Sequence, residues 1–253
     1  MAVSKKLFER LYTATNVVVL TGAGISAASG VPTFRGTSGL WKKFKPHELA
    51  NVEAFLGNPS LVWEWYRWRS QLVAQVEPNT AHFALTELEQ HFEDFMVITQ
   101  NVDNLHYRAG TENIIELHGN LTRNRCIECS KPADEEAIAR MDNEQPGEVP
   151  TCLSCGNLIR PDVVWFGEML PQHAIEKAQT LSSQAEVFFS IGTSSTVEPA
   201  ASLPFLAKGN GAYLVEINTE KTSLTDVCDE HIAAGADEIL PGIANVIKKL
   251  RSH

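Results

Sequence analysis

The chain has 253 residues, 43% of them hydrophobic and 21% charged, and carries a formal net charge of −10. That is enough apolar material for a full core at the upper edge of single-domain size, so one large domain carrying smaller inserted modules is the expected organisation. No run approaches the roughly eighteen apolar residues that span a bilayer, the first ten residues show neither a signal nor a transit pattern, and the acidic balance disfavours a protein that tracks nucleic-acid phosphates, so we expect a cytoplasmic protein with no membrane and no direct nucleic-acid partner.

Short apolar runs alternate with longer helical patterns. The runs lie at 17–20, 95–98, 114–117, 187–191 and 213–217, with a weaker one at 238–240. Each is four or five residues long, apart from the weaker one, and gives way to a polar or glycine-bearing loop, which predicts an α/β fold with a Rossmann-like parallel sheet whose carboxyl ends open into ligand-binding loops. Two stretches break the rhythm. Residues 37–78 are aromatic-rich and punctuated by Pro46 and by Asn58-Pro59, which predicts a helical insert. Residues 121–165 are polar, hold four of the five cysteines and have a charged centre at 134–148, which predicts a small zinc-binding module. The Rossmann-like part then comprises 1–36, 79–120 and 166–253.

Directly after the first run, Thr21-Gly22-Ala23-Gly24-Ile25-Ser26-Ala27 fits G-x-G-x-x-G/A, with Ala27 as the small third residue. Glycines there permit a tight turn and close approach of a pyrophosphate to a helix N-terminus, although a bare strand-to-helix turn has the same pattern. A dehydrogenase would place an acidic residue about twenty positions on to hold the ribose. Here that place holds Phe34-Arg35-Gly36-Thr37-Ser38-Gly39 and Trp41. The loop therefore reads as a dinucleotide site that is not built for hydride transfer.

In the insert, Trp63-Glu64-Trp65-Tyr66-Arg67-Trp68-Arg69 puts Tyr66 and Arg69 at i and i+3, on one face if the segment is helical. A phenol and a guanidinium in one pocket would suit a carboxylate, while periodicity alone favours an amphipathic helix with its Trp and Tyr packed inward and Arg69 in solvent. Next, Thr99-Gln100-Asn101-Val102-Asp103-Asn104-Leu105-His106 follows the second run. Its amides and carboxylate could bond a carboxamide and a ribose, or simply form a turn that caps a helix. His118-Gly119-Asn120 closes the third run, where an imidazole can reach a ligand and act as a general base near neutral pH.

Cys126-x2-Cys129 and Cys152-x2-Cys155 form two close pairs suited to one tetrahedral Zn²⁺. Four thiolates leave no coordination position for water, so such a metal is structural, and zinc-hydroxide hydrolysis is set aside. Cys228 reads as a packing residue. Finally, the apolar run Val163 to Phe166 offers an extended edge to a substrate backbone, or is an ordinary strand.

Together these motifs are recognisable. The stretches Gly22 to Ser26, Ser29 to Arg35, Thr99 to Asp103 with Leu105-His106, Leu117-His118-Gly119, the paired CxxC, Val164-Trp165-Phe166-Gly167-Glu168 and Gly192-Thr193-Ser194 resemble sirtuins in order and spacing, from about residue 10 to 250. The resemblance implies an NAD-dependent protein lysine deacylase that consumes NAD and holds one structural Zn²⁺. It implies that Gly22, Ala23, Gly24 and Ser26 surround the pyrophosphate, that Phe34, Arg35 and Trp41 belong to the cofactor site with Phe34 and Arg35 over the reactive ribose, and that Gln100, Asn101 and Asp103 hold the nicotinamide end. Gly192, Thr193, Ser194, Asn218 and Ala236 would serve the adenosine end, and His118 would be the base. In the family's reaction the acyl-lysine oxygen displaces nicotinamide at the ribose C1′, and the histidine then helps a ribose hydroxyl attack the resulting imidate, giving free lysine and O-acyl-ADP-ribose.

Tyr66 and Arg69, with the small Ala50, match class III sirtuins, which implies removal of succinyl- or malonyl-type groups as well as acetyl. Val163, Val164, Trp165, Phe166, Gly167 and Glu168 would meet the substrate, an acylated lysine-containing protein or peptide. Sirtuins commonly carry Glu where this chain has Ala28. Other classes remain to be weighed: an NAD-dependent oxidoreductase, which the glycine loop favours and the missing ribose carboxylate opposes, and a non-catalytic NAD-sensing interaction module, which the intact Asn101, Asp103 and His118 oppose. Mono-ADP-ribosyl transfer is a side activity within the family.

Overall fold

A computed structural model describes residues 3–33, 46–144 and 147–251. Six strands, β1 (Asn16–Thr21), β2 (Asp94–Thr99), β3 (Ile114–Glu116), β6 (Val187–Ile191), β7 (Tyr213–Ile217) and β8 (Glu230–Ile232), form one sheet in the order β3-β2-β1-β6-β7-β8. Every pairing in it is parallel. The remaining two, β4 (Gly119–Cys126) and β5 (Ile159–Val163), make a small antiparallel ladder.

The run Val17–Leu20 shows why the strand signal is continuous rather than alternating. Val17 and Val19 face one side, packed with Leu7 and Leu11 of α1 (Lys5–Thr13), Leu85 and Leu88 of α5 (Thr80–Glu89), and Ile243 and Ile247 of α10 (Ala236–Arg251). Val18 and Leu20 face the other, against Ala178 of α8 (Gln172–Gln184) and Leu203 and Ala207 of α9 (Leu203–Gly209). With helices on both faces, neither side of the strand can be polar. The five principal runs form strands, but 238–240 does not: it lies within α10, because Leu240, Ile243, Ala244 and Ile247 recur at helical spacing and are all buried. The sixth strand is Glu230–Ile232 instead.

In the insert, α2 (Pro46–Leu49), α3 (Val52–Gly57) and α4 (Pro59–Ala74) pack on one another. Asn51 and Asn58 start α3 and α4 by accepting from the amides of Ala54 and Leu61, and Pro59 begins the second of these helices. The helix α4 has two buried faces. Trp63 packs with Cys126, Cys152, Ile138 and Ile159 of the cysteine-bearing module, which includes the remote helix α7 (Glu135–Glu144), while Trp65 and Tyr66 pack with Phe55, Val163 and Trp165. Phe34, Arg35 and Trp41 lie outside the described residues.

Candidate functional site

The sheet's order reverses between β1 and β6, and ligands of open α/β sheets bind at such a switch, beyond the strands' carboxyl ends. The loops leaving β1 and β6 meet there. Gly24 N donates to Gly192 O at 2.8 Å, and a Cβ on Gly24 would sit 2.6 Å from Gly192 Cα, so no side chain fits between the two loops. The chain after Gly22 forms a 3-10 helix, Ala23–Ser29, where a helix N-terminus was expected. Above it lies a cleft of about 500 Å³.

Most of the expected residues line this cleft: Gly22, Ala23, Gly24, Gln100, Asn101, His118, Gly192, Thr193, Ser194 and Asn218, together with Ala50, Tyr66, Arg69 and the whole of Val163 to Glu168. Thr193 is the junction among them, its hydroxyl accepting from Gln100 Nε2 at 3.0 Å and its carbonyl from Asn218 Nδ2 at 2.8 Å. Other residues lie deeper. Ser26 is buried and donates to Asp103 Oδ2 at 2.7 Å, beneath the cleft, and Asp103 Oδ1 accepts from Leu105 N at 3.0 Å. Asp103 lines a smaller adjoining cavity with Ala23, Val31, Pro32 and Asn101, and burial pushes its carboxyl above the usual range. Ala236 begins α10 and packs in the core beneath the sheet, and Ala28 is exposed on the 3-10 helix; neither lines the cleft.

His118 follows β3, and its Nδ1 lies 3.0 Å from Gln100 O. A carbonyl only accepts, so Nδ1 carries the proton and Nε2 keeps its lone pair. Burial lowers the imidazole below its ordinary value, partly offset by that hydrogen bond. Two further histidines sit below: His82 and His106 are buried, their rings 5.0 Å apart, and burial depresses them to about 4 and about 3. His82 Nδ1 accepts from Asn79 N, which turns its other nitrogen toward Ser26 Oγ at 3.5 Å. Among the described residues His118 alone of the histidines lines the cleft.

The segment after β5 is anchored at each amide. Val164 N donates to His118 O and Phe166 N to Ala50 O, both at 2.9 Å, and Trp165 N to Glu168 Oε2 at 2.7 Å. The amides of this run from Val164 to Phe166 are therefore already spent, and the Trp165 carbonyl is taken by Glu168 N at 3.0 Å. Arg160, almost wholly buried, holds the run in turn through both oxygens of Glu168 and through Val163 O at 2.8 Å. Sequence reasoning gave no role to Thr33 and Val102, which lie inside quoted motifs, and missed Leu170, Val197, Glu198 and Thr219 to Thr222, which complete the lining from segments without any motif.

The cysteines gather as expected. All four Sγ atoms lie within 4.8 Å of one another, with pairs at 3.4, 3.6 and 3.7 Å. Zinc–sulfur bonds of about 2.3 Å in a tetrahedron put sulfurs about 3.8 Å apart, so the set fits one ion and is too open for disulfides. Cys228 is apart from them and half-buried.

The description "Sir2 family" matches residues 22–199. The NAD-dependent protein deacylase of Aquifex aeolicus (strain VF5) is 51% identical over 234 residues, 92% of this chain and 96% of that one. Two solved structures superpose closely. A Sir2 homologue–NAD complex has a TM-score of 0.90 at 43% identity, covering 98% of this chain and 95% of that one. A Sir2 histidine-to-alanine variant with deacetylated p53 peptide and 3′-O-acetyl ADP-ribose has a TM-score of 0.84 at 36% identity, covering 97% of each chain.

Proposed function

The chain belongs to the Sir2 family and is an NAD-dependent protein lysine deacylase, and from that premise we propose which residues of the cleft do the work and which acyl groups they take. NAD, when bound, supplies a ribose carbon whose nicotinamide is a good leaving group, so that an inert amide need not be attacked directly and the acyl group ends on ADP-ribose. The pyrophosphate-bearing part fits over the Gly22–Gly24 loop, whose only side chain is the Ala23 methyl, and the carboxamide end fits the amides of Gln100 and Asn101. His118 is the general base: Gln100 O holds its Nδ1 proton, and Nε2 receives the proton of a ribose hydroxyl. Asp103 and Ser26 act from below by fixing Asn101, whose Nδ2 donates to Gly22 O and Ser26 Oγ at 3.1 and 3.3 Å.

The substrate is an acylated lysine in a protein or peptide, as the peptide complex of the Sir2 relative suggests. Its backbone would lie along Val163 to Gly167, and its acyl chain would pass Ala50 toward Tyr66 and Arg69. The observation that carries this reading is that His118, Ala50, Tyr66 and Arg69 share the walls of one cleft. A cation at the far wall pairs with the terminal carboxylate of succinyl, malonyl or glutaryl lysine, which acetyl lysine lacks. We place the enzyme in the cytoplasm; no helix among the described residues is long and apolar enough to cross a membrane. The test is mass analysis of a panel of acetyl-, succinyl-, malonyl- and glutaryl-lysine peptides incubated with and without NAD. Succinyl removal at least as efficient as acetyl removal, and only with NAD, is expected; acetyl removal alone would refute the acyl assignment.

A further inference from the structure

We propose that the indole N–H of Trp165 sets the direction of the Tyr66 hydroxyl proton and so makes Trp165 a positioning residue for acyl choice; this rests on the carboxylate-reading role given above to Tyr66 and Arg69. Trp165 Nε1 donates to Tyr66 Oη at 2.8 Å, across a buried contact between residues 99 positions apart in the chain. An indole nitrogen only donates, so the phenol oxygen must accept at that contact. A phenol proton lies near the ring plane and has two directions to choose from. The incoming N–H occupies one, which leaves the hydroxyl to donate along the other.

The indole itself has little freedom. It is 2% exposed, its ring packs 5.2 Å from Phe55, and the Arg160 guanidinium lies 3.4 Å from the ring centroid. Its backbone amide is fixed by the same Glu168 carboxylate that holds Arg160. Tyr66 borders the cleft together with Arg69, which is itself hydrogen-bonded to the phenol and whose guanidinium carbon lies over the phenol ring, 5.5 Å from its centroid. A carboxylate arriving there meets a neutral donor beside the Arg69 cation. Without the indole N–H the hydroxyl is free to turn its proton toward the wall and present lone pairs to the anion.

The experiment compares kcat/KM for succinyl- and acetyl-lysine forms of one peptide, as a ratio, in the full-length enzyme and in Trp165→Phe, Tyr66→Phe, the double variant and Arg69→Met. One oriented hydrogen bond predicts a ratio lowered about 3- to 10-fold in each single aromatic variant. The double variant is expected to fall no further than Tyr66→Phe, because both changes remove the same contact. Should Trp165→Phe fail to fold, replacement of Trp165 by benzothienylalanine keeps the shape and deletes only the N–H. An unchanged ratio in the Trp165 variants while Tyr66→Phe and Arg69→Met lower it, or losses that add in the double variant, would overturn the inference alone. An unchanged ratio in Arg69→Met would overturn the carboxylate reading and the inference with it.

Discussion

Replacing His118 by Ala removes the one histidine that lines the cleft among the described residues. The nearby carboxylate of Glu168 is a poor substitute, since Arg160 and the Trp165 amide hold it ionised and lowered below its usual value. The loss of product formation should therefore span the full worth of a general base, about 10²- to 10⁴-fold, or about 3 to 5 kcal/mol of barrier. The base acts after nicotinamide has left, so exchange of labelled nicotinamide into NAD in the presence of acyl peptide should fall much less than release of free lysine peptide. The pH dependence carries its own sign. Burial lowers His118, so Nε2 stays unprotonated to a lower pH than an ordinary imidazole does, and single-turnover deacylation should hold its plateau below pH about 6.5 before falling as that nitrogen is protonated. Near-normal turnover in a well-folded variant, or an acid limb centred above the ordinary imidazole value, would refute the assignment.

Elemental analysis should find one zinc per chain, and chelation or Cys155→Ser should loosen the module around Trp63 and abolish activity indirectly, whereas a purified active sample without zinc would contradict the Cys₄ site. Arg69→Met should lower desuccinylation ~10-fold or more, the scale of one lost charge-assisted contact, and equal losses on succinyl and acetyl peptides would mean that Arg69 supports the fold instead. Acid should destabilise the protein through His82 and His106: both are depressed in the fold, so their contribution is complete above the unfolded value near pH 6.5 and is lost as pH falls toward about 4 and about 3. Between about pH 6.5 and about pH 4 denaturant unfolding should show a slope approaching two protons, about 2.7 kcal/mol per pH unit, and His82→Asn should remove one of them; an unchanged slope in that variant would sink the explanation.

The parts legible in the sequence are those in which one local pattern has one physical cause. Val17–Leu20 and Val187–Ile191 read as strands because helices cover both faces of the sheet, and the paired CxxC reads as a metal site because its four sulfurs converge. The strand Glu230–Ile232 is illegible because it is three residues long and two of them are only half-buried, while the apolar spacing just beyond it belongs to a helix. The ladder β4–β5 is illegible for a different reason: its residues are largely polar, their charges paired across the strands, as when Arg125 meets Asp162 at 3.1 Å.

The glycine motif after β1 is the instructive intermediate case. Its pattern is plain, yet both of its glycines are required first by protein: a Cβ on Gly22 would sit 2.8 Å from Gly192 O, and one on Gly24 nearer still to the same loop. A dinucleotide site is thus not what the glycines alone report. They report two loops drawn together across the reversal of strand order, and that meeting creates a cleft because the chain runs on from the adjacent strands β1 and β6 to opposite halves of the sheet. The same reasoning explains why His118 stands out and Trp165 does not. A histidine at a strand end faces the crevice by topology, whereas the worth of an indole N–H depends on a phenol brought to it by a separate helix, and no spacing in the chain encodes that meeting.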